Sequence, residues 1–160
     1  MNPCEDDVVW RALERVTDPE IPVLNVVDLG IIAAVRIHGN HVEVDMTPTF
    51  AGCPALDVIR EEIRQSVSEA MQHAVTVHVV YDPPWTSDRI SEEGRRKLKA
   101  FGLSPPGPRC GSIPASLEKV ACPFCESKDT RLDSIFGPTL CRSMHYCESC
   151  RQSFEHFKPV

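Results

Sequence analysis

No stretch of this 160-residue chain approaches the roughly 20 consecutive apolar residues that a membrane-spanning helix needs, so no membrane span is expected. The opening Met1-Asn-Pro-Cys-Glu-Asp-Asp7 is acidic and polar, with no basic segment leading into an apolar one. That excludes a secretory leader and makes the cytoplasm the expected location. Excess positive charge is missing as well. The formal net charge is −6, and without a basic stripe to neutralise phosphates general nucleic-acid binding is excluded. Arg95-Arg-Lys97 is too short a basic run to be more than a solvated helix face. The chain has no Ser/His/Asp arrangement, no phosphate-cradling glycine-rich loop and no His-Glu-x-x-His helix, so catalysis of its own is not expected. Internal repeats and low-complexity tracts are absent too.

What is present is an ordinary globular composition, 42% hydrophobic and 25% charged, with a mean hydropathy of −0.19. The length suits one compact domain and a small appendage. The 8 cysteines stand out. A reducing cytoplasm keeps thiols reduced, so metal ligands, reactive thiols or buried small side chains account for them better than disulfides.

Four of them form two pairs, Cys122-Pro-Phe-Cys125 and Cys147-Glu-Ser-Cys150, separated by 21 residues. That separation is one beyond the usual zinc-ribbon spacer of about 15–20. Each C-x-x-C turn aims two sulfurs at one ion, so Cys122, Cys125, Cys147 and Cys150 are expected to hold a structural zinc in a tetrathiolate site. A segment this small has too little apolar surface to fold by burial alone, and the metal supplies the missing stability. Disulfides or paired structural thiols are the alternative. Thr130–Phe136, between the pairs, alternates like a strand.

The chain divides into residues 1–102, a Pro/Gly-rich linker over 103–117 that breaks all periodicity, and the ribbon over 118–160. In the first part Val9, Leu13 and Val16 share a helical face that Asp18-Pro19 ends, and the prolines of Asp18-Pro-Glu-Ile-Pro22 force extended backbone. A strand at Ile31–His38 turns at Gly39-Asn40 into Val42, Val44 and Met46, which alternate with Glu43, Asp45 and Thr47. A second helix over Pro54–Gln72 carries the stripe Leu56, Ile59, Ile63, Val67 and Met71, and a strand follows at Val75–Tyr81. The β-β-α-β order predicts an α/β (α+β) fold: a small mixed-sheet sandwich with packed helices, a short helix near Ser91–Phe101, and the zinc-ribbon-like subdomain.

Thr47-Pro-Thr-Phe-Ala-Gly-Cys-Pro54 crosses from strand to helix. A cysteine just before a proline at the first helical turn puts the Cys53 sulfur near unpaired amides, which favours a thiolate. Gly52 allows a close backbone approach there. A buried cysteine capping the helix as a small hydrophobe accounts for the same residues.

Asp18-Pro-Glu-Ile-Pro22, Val27-Asp-Leu-Gly30, the segment ending at Gly52-Cys-Pro54 and Tyr81-Asp-Pro-Pro-Trp85 resemble the SufT-type iron–sulfur assembly domain. The added ribbon, with Phe136-Gly-Pro-Thr-Leu-Cys141, resembles the branch of accessory subunits encoded with phenylacetyl-CoA epoxidase. The resemblance covers nearly the whole chain. It implies an accessory, non-catalytic role in phenylacetate degradation, assembling or delivering an iron–sulfur cluster to the reductase component of the epoxidase. Carried over, Cys53 is the family's reactive cysteine, Asp18, Glu20 and Asp28 fall in its acidic signature, and Cys122, Cys125, Cys147 and Cys150 are ribbon ligands; a transient iron–sulfur cluster is the implied cargo.

Carboxylates beside Cys53 would raise its pKa against the helix dipole, which suits metal handling better than nucleophilic catalysis, although carboxylates in a Pro-rich loop are usually just solvated. Cys141 and His145 lie between the knuckles, where either could replace a ligand or bind a second metal, with Cys141 read as packed or as a transient cluster ligand; Cys4 and Cys110 read as incidental thiols. His38, His41 and His78 lack ligand spacing, and Trp85 reads first as a core anchor. Two other readings accompany the assembly role: a rubredoxin-like electron-transfer protein with iron in the ribbon, and a purely structural subunit of the oxygenase complex. Epoxidase components are the expected partners. A sheet of few strands leaves an open edge, so a homodimer is expected as well.

Overall fold

The computed structural model describes residues 3–50, 52–107, 117 and 120–159. Cys110, the start of the ribbon at Glu118 and most of the expected linker lie outside the described residues. The chain divides into two compact units between Trp85 and Thr86.

In the first unit, helix α1 (Pro3–Leu13) buries Val9, Ala12 and Leu13. It stops three residues before Val16, whose N–H still bonds to the Leu13 carbonyl and whose side chain stays in the core. The expected extended backbone follows, as the two-stranded hairpin β1 (Thr17–Asp18) and β2 (Ile21–Asn25). Asp18 builds its corner: Oδ1 accepts the N–H groups of Glu20 at 2.7 Å and Ile21 at 3.2 Å.

The sheet of this unit has the order β3-β4-β5, from β3 (Ile32–His38), β4 (His41–Met46) and β5 (Ala74–Val79). β3 and β4 are antiparallel around Gly39, whose φ of 57° is the left-handed value a two-residue turn asks of its first position. Val42, Val44 and Met46 are fully buried, while Glu43 and Asp45 face outward and both bind Arg36. β4 and β5 are parallel, so a crossover must join them. That crossover is α2 (Leu56–Met71), which buries Ile59, Ile63, Val67 and Met71 and packs on α1 and β5. Trp85 is the anchor its sequence context suggests: it is buried, and Nε1 donates to the Leu29 carbonyl at 3.0 Å.

The second unit is more than the ribbon. Its sheet has the order β6-β9-β8-β7, from β6 (Leu103–Ser104), β7 (Thr130–Ser134), β8 (Arg142–Cys147) and β9 (Ser153–Phe157). β6 lies parallel to β9, and α3 (Glu92–Ala100), capped by Ser91 Oγ accepting the Gly94 N–H, packs on β6. The two compact units thus part at Trp85 and Thr86, upstream of the expected boundary at residue 102. Leu98 and Leu103 are buried in this unit, and β6 covers the edge of β9 that the ribbon alone would leave open. No helix among the described residues is long and apolar enough to cross a membrane.

Candidate functional site

The two cysteine knuckles are built alike. In the first, the Cys122 N–H donates to the Ser127 carbonyl and the Glu126 N–H to the Cys122 carbonyl, each at 2.9 Å. In the second, the Cys147 N–H donates to Gln152 and the Arg151 N–H to Cys147, again at 2.9 Å. Each loop closes through a left-handed residue just after its second cysteine, Glu126 with φ 62° and Arg151 with φ 58°. The ladder between β7 and β8 pairs Thr130 with Cys147, which sets the knuckles beside each other.

The four sulfurs of Cys122, Cys125, Cys147 and Cys150 all lie within 4.8 Å of one another. Cys122 Sγ is 3.7 Å from Cys150 Sγ, and Cys125 Sγ is 3.6 Å from Cys147 Sγ. A tetrahedral ion with metal–sulfur bonds of about 2.3 Å spaces its sulfurs about 3.8 Å apart, whereas a disulfide needs about 2.05 Å. The donor set therefore fits one tetrahedral ion and does not fit disulfides. Without an ion the thiols do not ionise alike. The backbone N–H of Cys150 holds the Cys147 thiol down to about 7, while burial, together with the sulfur of Cys147, pushes Cys150 up to about 12. A cation between them is what would bring all four to the thiolate form.

His145 and Cys141 stand outside this set. His145 is buried in the ribbon core, stacked on Phe154, with Nε2 2.9 Å from Ser143 Oγ, and burial pushes it down to about 4. Cys141 Sγ lies 3.1 Å from Thr139 Oγ1.

In the first unit, regular helix begins at Leu56 with Ala55 as N-cap, so Cys53 stands two residues upstream of the cap rather than at it. Its carbonyl accepts the Leu56 N–H at 3.2 Å, and its own N–H reaches the Phe50 carbonyl at 3.1 Å. The Cys53 side chain is half-buried and lines a cavity of about 10 Å³ with Asp18, Leu29, Met46 and Ile59. That is around the smallest space that admits one water. Asp18 and Cys53 thus line one apolar-walled cavity, although 35 positions separate them in sequence. Glu20 is exposed at the hairpin corner. Asp28 is 8% exposed in the turn after β2, its N–H held by Asn25 Oδ1. Neither Glu20 nor Asp28 is among the residues that line this cavity.

Sequence reasoning passed over His156, which is buried in β9 with Nδ1 3.1 Å from the Ser104 carbonyl. The alternation of Phe154, His156 and Lys158 about an inward Phe157 carried no cue that the histidine would face in.

An α/β domain of the iron–sulfur assembly kind, joined to a four-cysteine metal-binding ribbon, is the class that fold and site define. The model of an iron–sulfur cluster assembly protein matches residues 6–79, and that of the PaaD zinc beta ribbon domain matches residues 114–158. Over 154 residues the chain is 38% identical to an Escherichia coli (strain K12) protein provisionally described as a subunit of 1,2-phenylacetyl-CoA epoxidase, covering 95% of this chain and 92% of that one. The chain belongs to this PaaD family of epoxidase subunits. A shorter relative, an Fe-S protein maturation auxiliary factor of Porphyromonas gingivalis (strain ATCC BAA-308 / W83), is 42% identical over 59% of this chain and 90% of its own. A crystal structure of a domain of unknown function, DUF59, from Bacillus anthracis matches with a TM-score of 0.56 and 28% identity, over 59% of this chain and 92% of that chain.

Proposed function

We propose that this chain is a non-catalytic maturation protein of the phenylacetyl-CoA epoxidase system, acting in the cytoplasm, that assembles or delivers an iron–sulfur cluster to the iron–sulfur reductase component. The observation that supports this best is the joining, in one chain similar along nearly its full length to an epoxidase subunit, of a domain shared with Fe-S maturation factors and a four-sulfur ribbon. In this reading the cluster is cargo. Cys53 offers it a thiolate at the edge of a small cavity, and Asp18 supplies a carboxylate whose Oδ1 is held by two backbone amides. Glu20 and Asp28 extend the acidic character of the same hairpin and following turn. A homodimer through an edge of the first unit's sheet completes the proposal.

The ribbon carries zinc as a structural ion in this reading, with Cys122, Cys125, Cys147 and Cys150 as ligands. The same sulfur spacing accepts iron, which would favour single-electron transfer instead. Colour separates the two, because zinc is d¹⁰ and absorbs no visible light while a ferric tetrathiolate does. Aerobically purified protein is expected to be colourless and to hold about one zinc per chain. Cys125→Ser is expected to lose the metal and render the second unit protease-sensitive, with the first unit still folded. Full zinc retention in that variant would contradict the ligand set. The assembly role is tested by purifying the reductase, without oxygen, from cells with and without this chain. Lower iron and sulfide per reductase in its absence is the expected result.

A further inference from the structure

Of the eight large apolar side chains exposed among the described residues, five belong to the second unit. Three of them sit on the loop between β7 and β8: Phe136 is 70% exposed, Leu140 54% and Ile135 49%. Hydrogen bonds fix this loop. Ser134 Oγ accepts the Phe136 N–H at 3.1 Å and donates to the Phe136 carbonyl at 2.9 Å, and the Gly137 N–H donates to the Arg142 carbonyl at 3.0 Å. Its neck is tight enough that a Cβ on Gly137 would lie 2.9 Å from the Arg142 Cβ. A loop ordered in advance can present apolar side chains to a partner with little further entropy loss.

The other two, Phe101 and Phe124, wall a groove of about 230 Å³ with Met144 and Phe154. Cavities of about 150 Å³ already admit benzene, so the groove has room for one phenyl ring. Its charged lining groups, Arg142 and Glu155, pair with each other at 2.7 Å, which leaves the groove neutral in a chain of net charge −6. Two copies of it therefore do not repel. Arg142 lines the groove and also abuts the loop at Gly137, so loop and groove are neighbours.

We propose that this surface is an interface between two copies of the chain, with Phe136 of each copy seated in the Phe101–Phe124 groove of the other. A two-fold contact needs a self-complementary patch, and a protruding ring beside a ring-sized groove is one. The area suffices. Side chains of phenyl size carry about 150–250 Å² each, so five left half open present roughly 500 Å² per copy. Two copies then bring together about 1,000 Å² of apolar surface. At the ~65% apolar content of homodimer interfaces this corresponds to about 1,500 Å² in all, the size of a standard stable interface. The contact uses no residue of the first unit, so it is independent of the cluster-handling reading and of pairing through that unit's sheet edge.

The test is the mass of the full-length, zinc-loaded protein by light scattering at micromolar concentration, for the unsubstituted chain, Phe136→Asp and Phe101→Glu. Both side chains are exposed, so both variants are expected to keep their zinc and their melting transition. Each is expected to halve the assembly mass, from two copies to one if this contact acts alone and from four to two if the sheet edge pairs as well. In a mixture of isotope-labelled and unlabelled protein, NOEs are expected between the Phe136 ring of one copy and the Phe101 and Phe124 rings of the other. An unsubstituted chain at its monomer mass of 17.8 kDa would overturn the proposal, as would an unchanged mass in either variant or the absence of those NOEs. So would a monomer that binds an epoxidase component through Phe136, which would assign the surface to that component.

Discussion

At Arg151 the backbone takes φ 58° to close the second knuckle, and at Glu126 it does the same for the first. This is a conformation that L side chains adopt at a cost and glycine adopts freely. The amide at each of these positions is what returns to the first cysteine of its pair, so the strain is tied to the metal geometry. Arg151→Gly is therefore expected to leave the zinc-loaded protein as stable or to stabilise it by up to about 1 kcal/mol. Arg151→Val, with a branched Cβ in the same conformation, is expected to cost about 1–2 kcal/mol. Thermal melts of the two variants check the pair, and equal melting temperatures would contradict it. Burial also pushes His156 down to about 3, with His145 adding to the effect. An unfolded histidine titrates near 6.5, so between about pH 6.5 and 3 the unfolded chain binds the extra proton. Stability of the second unit is therefore at its plateau above pH 6.5 and falls as the pH drops towards 3. His156→Asn keeps a donor near Ser104 but does not titrate. It is expected to be less stable at neutral pH and to lose about one proton from the slope of denaturation midpoint against pH below 6.5.

At the scale of elements, much of the first unit could be read from pattern, and for physical reasons. The α2 stripe repeats at helical spacing because one face is buried, and the alternation in β4 survives because Arg36, Glu43 and Asp45 keep its other face polar. Parallel pairing of β4 and β5 follows from the helix between them. The β1–β2 pairing was not legible as a sheet, since two prolines remove amides from it and the amides of Glu20 and Ile21 go to the Asp18 carboxylate. The four ribbon cysteines carry their spacing openly. The sharing of one cavity by Asp18 and Cys53 does not, because tertiary folding brings together residues 35 positions apart. Least legible was the home of α3 and β6: their link to β9 spans about 50 positions and rests on only two residue pairs. A fragment of residues 86–160 is accordingly expected to bind zinc and melt cooperatively. A fragment of residues 118–160 lacks Leu98, Leu103 and the Ser104 carbonyl that receives His156, and is expected to melt lower or to lack a cooperative transition. Equal melting of the two fragments would return α3 and β6 to the first unit.

At the scale of the whole molecule, the two units divide two kinds of sulfur chemistry. The ribbon gathers four sulfurs into a closed set, which suits an ion held for the life of the fold. The first unit has one half-buried cysteine that shares a small cavity with Asp18, a set too small to keep a cluster. Under the proposed function, stability and transfer fall to different residues, and substitutions in the two places are expected to differ in kind. Cys125→Ser is expected to remove metal from this chain, whereas Cys53→Ser is expected to leave this chain folded and to affect the proposed client.

The most direct test of the account is the iron and sulfide content of the epoxidase reductase, purified without oxygen from cells grown on phenylacetate whose copy of this chain carries Cys53→Ser. The melting transition of the variant itself is expected to stay nearly unchanged, since replacing one sulfur by oxygen at a half-buried position alters little packing. With the reductase polypeptide at its normal level, its iron and sulfide are expected to fall, and epoxidase activity with them. A reductase carrying its full cluster in the Cys53→Ser cells would contradict delivery through Cys53.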